Sequence, residues 1–156
     1  MLISAWDEAH REFAIALEGL SDEDLWTRPH PRLLSVGELA GHLTYWQSKQ
    51  ITGHLPPEEQ PRGVLVDPAF GYYTNHVEHP VKLEMGVEEV GREVKRVHVE
   101  ARAALIKMDP GKDDPMPGRP KGTWENYLQY QVFHVAYHTG QVYSVRHLLG
   151  HATTDN

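Results

Sequence analysis

The stretch from Thr123 to Gly150 limits the possible folds of this chain more than any other. Its apolar residues recur with a helical period, Thr123 is a favourable N-cap, and Gly150 lies where a left-handed residue often ends a helix. We therefore predict a helix that runs to about Leu149 and is the longest in the chain. His134 and His138 lie four residues apart within it, so they share one face.

That face is predicted to point into the protein interior. Gln141 lies within about 60° of the two histidines, and the same sector contains Tyr127, Gln131, Val145, Leu148 and Leu149. Side chains at i and i+4 are about 5–6 Å apart at Cβ, so two ring nitrogens can bind one ion, and a divalent cation would offset the cost of burying polar rings. The alternative is that each ring is an ordinary histidine bonded to backbone or water.

Three more amphipathic helices precede this one. Ser35-Val36-Gly37-Glu38 matches the capping box and predicts that the second helix begins at Ser35. A short helical turn is predicted after Ser21, which resembles an N-cap followed by acidic residues. The predicted first helix covers about 4–20, and the third covers 87–108 with a charged outer face.

Two connections are rich in proline and glycine. Residues 53–86 predict a crossover that packs over the helices, with a possible helical turn near Thr74 to His79, and residues 112–122 predict a loop. No stretch gives a convincing strand pattern. We predict an all-α fold, a four-helix bundle with a long crossover between helices 2 and 3, in a single domain covering 1–156.

A third histidine lies on the predicted inner face of the second helix. His42 projects close to Leu39 and Trp46. A lone histidine at an apolar edge is usually a structural residue, but metal sites in helical bundles are built from inward residues on facing helices. His42, His134 and His138 together therefore form the candidate metal site.

The remaining histidines that we considered are assigned to other roles. His54, His76 and His79 lie in the crossover, where hydrogen bonding at the surface or within the loop is the expected explanation. His147 and His151 are also four residues apart, but Gly150 intervenes at the expected helix end and His147 projects about 140° from the His134 face. Both are expected to be exposed.

Composition excludes several functional classes. The chain has 22 acidic and 15 basic residues and a net charge of −7, which argues against a nucleic-acid surface. It has no cysteine, so disulfides, thiolate metal sites and cysteine nucleophiles are excluded. There is no signal-peptide pattern and no apolar run of membrane-span length, so we expect a soluble, cytoplasmic protein without a membrane partner.

Two segments resemble the DinB/YfiT-like superfamily of metalloenzymes. The first runs from Ser35 to Trp46 and includes Gly41-His42-Leu43; the second is His134-Val135-Ala136-Tyr137-His138-Thr139-Gly140-Gln141, followed by 142–150. The family signature is a histidine, three residues, a second histidine and then x-Gly-Gln, preceded about 90 residues earlier by a histidine on a helix. Residues 22–29 also resemble the family's first connection.

The resemblance implies a four-helix bundle, often a homodimer, in which His42, His134 and His138 bind a divalent ion such as zinc or nickel. It also implies a small-molecule substrate, because some members are metal-dependent hydrolases or transferases that use low-molecular-weight bacterial thiols. Thr139 departs from the arginine that is common there in the family, and no part of the proposed site depends on it.

Three neutral imidazoles leave an ion with its full charge and an open position, an arrangement typical of catalytic zinc. Val135 occupies the place of the catalytic glutamate in His-Glu-x-x-His, which excludes a metalloprotease of that design. Gln141 is a candidate for orienting a ligand or bound water, and ordinary helix packing is the alternative. Tyr45 and Tyr130 are weaker candidates that we expect in the core.

Two functional classes remain open. We favour a metal-dependent enzyme, a hydrolase or a thiol transferase, whose pocket lies between the bundle mouth and the crossover. The alternative is a non-catalytic metal-binding or stress-associated dimeric bundle in which a fully ligated ion only fixes the helices.

Overall fold

The computed structural model describes residues 2–72 and 78–153. Its helices are α1 (Ile3–Leu17), α2 (Asp22–Leu25), α3 (Val36–Thr52), α4 (Val87–Met108) and α5 (Trp124–Leu148), and its two strands are β1 (Pro115–Met116) and β2 (Arg119–Thr123). The four long helices form the bundle, with α1 packed mainly on α5 and α3 on α4. The predicted all-α fold is confirmed.

The helix ends follow from local chemistry. Ser35 and Glu38 form both hydrogen bonds of the capping box, and the Thr123 hydroxyl accepts from the Asn126 amide at 3.2 Å. Gly150 follows the last helix with φ at +88°, a conformation that glycine adopts without a Cβ clash. Helix α1 ends at Leu17 rather than near Leu20, because the backbone turns at Gly19, whose φ is also positive.

The bundle core consists mainly of the predicted apolar stripes. The largest fully buried apolar side chains are Trp6, Phe13, Leu25, Leu43, Ile51, Leu65, Phe70, Leu105 and Leu128. Leu65 and Phe70 come from short 3₁₀ turns of the crossover, Val64–Val66 and Pro68–Phe70, which lie against α3. The crossover therefore closes one side of the core, as predicted. The possible helical turn near Thr74 falls largely outside the described residues.

The loop predicted for residues 112–122 was wrong in part, because it contains a small antiparallel hairpin. Met116 pairs with Arg119, and Pro117-Gly118 forms the turn with Gly118 at φ +74°. Proline followed by glycine is typical of a type II turn. Proline also lacks the backbone N–H donor that a longer strand ladder needs. The hairpin stays short and packs Met116, 4% exposed, against the bundle.

A groove of about 1510 Å³ lies between helices α1 and α4. We call it the α1–α4 groove. Charged residues of both signs line it, among them Asp7, Glu18, Arg92 and Arg102. Within the described residues, no helix is both long and apolar enough to cross a membrane.

Candidate metal centre

Helix α5 places two imidazoles edge to face in the interior. The Nε2 atoms of His134 and His138 are 3.0 Å apart, and the ring planes make an angle of 86°. The residues are 6% and 7% exposed. One helical turn separates them, so the shared face follows directly from the i, i+4 spacing.

Helix α3 brings His42 to the same place from across the bundle. Its ring centroid lies 5.4 Å from that of His134 and 4.8 Å from that of His138. One nitrogen from each of the three rings lies within 4.8 Å of the other two, and together these nitrogens could hold a metal ion. The packing of α3 on α5 therefore brings together the three histidines that the sequence singled out.

Two carbonyl oxygens set the proton positions on these rings. The Phe70 backbone oxygen lies 3.2 Å from His42 Nδ1, and the Gln141 side-chain oxygen lies 2.7 Å from His138 Nδ1. A carbonyl only accepts, so each Nδ1 must carry the proton and each Nε2 keeps its lone pair. The geometry thus gives Gln141 a definite contact, with the ring of His138.

The Phe70 contact depends on a glycine in α3. A Cβ at Gly41 would lie 2.2 Å from the Phe70 ring, which is too close for any side chain. Glycine at 41 allows the crossover to approach α3 closely, and this approach brings the Phe70 carbonyl next to His42. The crossover therefore takes part in orienting the site.

Electrostatics keep the α5 pair neutral near pH 7. Burial, reinforced by the neighbouring His138 and His42 rings, lowers the pKa of His134 to about 3. Burial also lowers the pKa of His138, against the opposing effect of its Gln141 hydrogen bond. Metals bind the neutral imidazole, so neither ring has to lose a positive charge before it can act as a ligand.

The donor set fits a borderline divalent ion. Zinc and nickel both accept imidazole nitrogen, and two such ligands at 2.0–2.1 Å with a tetrahedral angle lie roughly 3.3 Å apart. The 3.0 Å between the two α5 nitrogens is close to that spacing. The three residues fit the ion that the resemblance implies.

A pocket of about 570 Å³ opens beside the three rings. Tyr130 and Leu148 were expected in the core, but they are 44% and 64% exposed and lie on its wall. Tyr130 stacks on His134 with ring centroids 5.6 Å apart and an angle of 16°. In the helical pattern both residues lie at the edge of the apolar sector, and in the folded bundle this edge faces the opening of the pocket. Tyr45, the other tyrosine expected in the core, is half-buried against it.

The other histidines lie outside this centre. His54 contacts the Met108 sulfur and the Trp124 ring, and His79 is exposed, both consistent with surface or loop roles. His147 is exposed as expected, whereas His151 is half-buried and bonds Asp24 at 3.0 Å. The expectation that His151 is exposed was wrong because the chain folds back after Gly150. His76 lies outside the described residues.

Sequence reasoning missed a second histidine pair. His10 and His98 stack face to face with centroids 3.8 Å apart, His10 bonds Gln47 through Nε2, and His98 bonds Asp7 at 2.9 Å. The signal was available, because His10 lies four residues after Trp6 and His98 lies four residues after Val94, on the apolar stripes. We call these two residues the stacked pair.

Glu38 also does more than cap α3. It is 1% exposed and accepts hydrogen bonds from Arg28, from the Tyr72 hydroxyl at 3.2 Å and from the Val81 amide at 2.9 Å. Burial raises its pKa, but the bonds from Arg28, Ser35 and Val81 outweigh this and leave the pKa below its usual value. The carboxylate ties the first connection and the crossover to α3.

Comparison with known proteins agrees with this architecture. The family model of the DinB superfamily matches residues 5–142, which is most of the chain and includes all three histidines and Gln141. No curated protein and no solved structure gives a significant match. Since the family match covers far more than half of its length, this chain belongs to the DinB superfamily.

Proposed function

We propose that this protein is a metal-dependent enzyme that acts on a small molecule, either as a hydrolase or as a transferase of a low-molecular-weight thiol. The observation that carries the proposal is the convergence of His42, His134 and His138 within 4.8 Å at the wall of an open pocket. Three imidazoles leave a zinc or nickel ion at least one position for a ligand from the pocket.

A divalent ion held by the three histidines would supply Lewis acidity to a water, thiol or carbonyl group that enters the pocket. The protein residues prepare the site for it. Gln141 and the Phe70 carbonyl each accept an Nδ1 proton, which leaves the Nε2 lone pairs of His138 and His42 available to a metal ion. Burial keeps the α5 rings neutral.

The number of protein ligands and the adjacent pocket favour a catalytic ion over a structural one. A structural zinc site in a protein is closed by four protein ligands. Within the described residues, the only group of three or more histidine or acidic side chains that could share an ion is this trio, which offers three ligands. The pocket beside it has a volume within the roughly 300–1,000 Å³ of small-molecule sites.

The decisive experiment is elemental analysis of tag-free protein followed by turnover assays. We expect about one equivalent of zinc or nickel in the wild type and a large loss in His138→Ala. His147→Ala, an exposed histidine of the same helix, is the matched control and should keep its metal. Equal metal content in wild type and His138→Ala would refute the site.

Activity separates the two functional classes. Metal-loaded wild type should hydrolyse a member of an ester and amide panel, or consume a bacterial thiol with an electrophilic co-substrate. Bound metal without turnover on any panel would instead favour the non-catalytic metal-binding bundle. Homodimer formation is part of the proposal, and light scattering after size-exclusion chromatography tests it.

A further inference from the structure

The pocket beside the histidines differs in charge from the rest of the protein. Its charged lining residues in the described part of the chain are Arg32 and Arg119, and no aspartate or glutamate is among them. The chain as a whole carries a net charge of −7. Placing two guanidinium groups and no carboxylate around one pocket of such a chain creates a local attraction for anions.

The two arginines come from separate connections that converge over the pocket. Arg32 lies in the segment that precedes α3, and Arg119 begins β2 of the hairpin. Arg119 also lies over the Tyr127 ring at 5.8 Å, a cation–π contact that holds its side chain against the bundle. Both residues are exposed at the opening of the pocket. Arginine presents a planar fork that matches a carboxylate.

Aromatic side chains of α5 form one rim of the same pocket. Tyr130, Phe133 and Tyr137 are 44%, 60% and 52% exposed, and they follow one another at helical spacing. The Phe133 and Tyr137 rings stack at 5.8 Å with an angle of 26°. Large aromatic residues exposed together around a concave site are typical of a surface that binds a flat apolar group.

The α1–α4 groove lacks this combination. That groove is larger and also partly apolar, but Asp7 and Glu18 line it together with Arg92 and Arg102. Its charges can neutralise one another across the opening. In contrast to that groove, the pocket beside the three histidines combines an aromatic rim with arginine alone among its charged residues in the described part of the chain.

We infer that the pocket binds a small aromatic carboxylate, with its carboxylate on Arg32 and Arg119 and its ring against the aromatic rim. This inference names the substrate class of the proposed function and rests on that function for its chemistry. The anion is held at the opening, and the reacting group of the ligand is thereby directed towards the three histidines.

Three probes of matched shape test the charge preference. They are 2-naphthoate, its neutral methyl ester and the cationic 2-naphthylmethylamine, titrated calorimetrically into zinc-loaded protein. We expect 2-naphthoate to bind at least about tenfold more tightly than either of the others, because hydrogen bonds to charged groups are the strong ones. Equal binding of the three probes would overturn the inference.

Variants locate the two halves of the interaction. The double variant Arg32→Gln/Arg119→Gln should weaken 2-naphthoate about tenfold or more and leave the ester unchanged. Phe133→Ala should weaken the acid and the ester by a similar factor. Arg92→Gln, which removes an arginine from the α1–α4 groove, is the control and should have no effect. Unchanged 2-naphthoate affinity in the double arginine variant would contradict the inference.

Metal-free protein separates this inference from the proposed function. If the protein binds no metal but still prefers 2-naphthoate, and this preference depends on the arginines, the anion pocket is supported and the metal enzyme is refuted. Metal binding without that preference would refute the anion pocket and leave the metal enzyme standing. Affinity that disappears with the metal but survives in the double arginine variant means that the ion alone holds the probe, which also overturns the inference.

Discussion

The bundle contains two pairs of interior histidines that differ in what their nitrogens face. In the α5 pair the rings meet edge to face at 86° and the two Nε2 atoms are 3.0 Å apart. In the stacked pair the planes make an angle of only 25°, and the Nε2 atoms bond Gln47 and Asp7 instead of each other. The ring centroids of the stacked pair are the closer, at 3.8 Å against 4.5 Å.

Closeness of two imidazoles does not by itself make a metal site. A ligand nitrogen needs its lone pair directed at a shared point, and lone pairs lie in the ring plane. Parallel stacked rings direct their lone pairs side by side, whereas rings packed edge to face on one helical turn can direct them together. Carbonyl partners at Nδ1 then leave Nε2 available in His42 and His138.

Metal affinity should separate the two pairs most strongly. Loss of an outer hydrogen-bond partner typically costs a metal site 10–100-fold, so we expect His134→Ala, which removes a ligand, to lose on the order of 10³-fold in zinc affinity. His10→Leu removes neither a ligand nor a hydrogen-bond partner of a ligand, so its zinc affinity should stay within about threefold of wild type. Competition with a chromophoric chelator measures both. A similar loss in the two variants would remove the distinction drawn here.

The next largest effect concerns the carboxylate that fixes the crossover beside His42. Glu38→Gln leaves the Arg28 guanidinium, whose side chain is 12% exposed, without its buried partner. Breaking such a pair costs about 3–5 kcal/mol in free energy of unfolding. Urea unfolding should show this loss, while Glu88→Gln, in an exposed pair with Arg92, should cost at most about 1 kcal/mol. Equal midpoints for the two variants would argue against a buried role.

Burial of His10 in the stacked pair should make the stability of the fold depend on pH. Burial, with a contribution from His98, lowers the pKa of His10 to about 3, against about 6.5 in the unfolded chain. The unfolded state therefore takes up the proton first as pH falls, so stability is complete above pH 6.5 and is lost towards pH 3. For one group this amounts to about 3 kcal/mol between pH 6.5 and 4.

The measurement for this prediction is the difference between two proteins. Metal-free wild type should lose more unfolding free energy over that pH range than metal-free His10→Leu does. Removing the histidine leaves Gln47 without its bond, but that penalty does not depend on pH and cancels in the slope. Parallel pH profiles for the two proteins would show that His10 is not held neutral by burial.

The smallest expected effect is that of Gln141. Gln141→Ala removes the acceptor at 2.7 Å from His138 Nδ1 and should weaken zinc binding about 10–100-fold without unfolding the protein. Gln47→Ala removes the corresponding partner of His10 and should leave zinc affinity unchanged. A Gln141→Ala protein with wild-type affinity would assign that residue to helix packing, the alternative considered from the sequence.

Local features were the predictable ones. Ser35 and Thr123 cap helices through contacts with residues three positions later, and His134 and His138 share a face through helical geometry alone. His42 could be placed on an inner face for the same reason. The turn signal at Pro117-Gly118 was also local, and it was interpreted as a loop because prolines made a strand pattern too short to recognise.

The sequence by itself determined which residues are helical and which faces are apolar, because helix periodicity and capping act within a few residues. Only the tertiary structure decided that His42 meets the α5 pair, that Tyr130 opens onto a pocket, and that Arg32 and Arg119 lie over the same opening. These placements depend on the rotation of each helix about its axis and on the path that the long connections take across the bundle. A helix rotation of a few tens of degrees moves a side chain from the core to the surface.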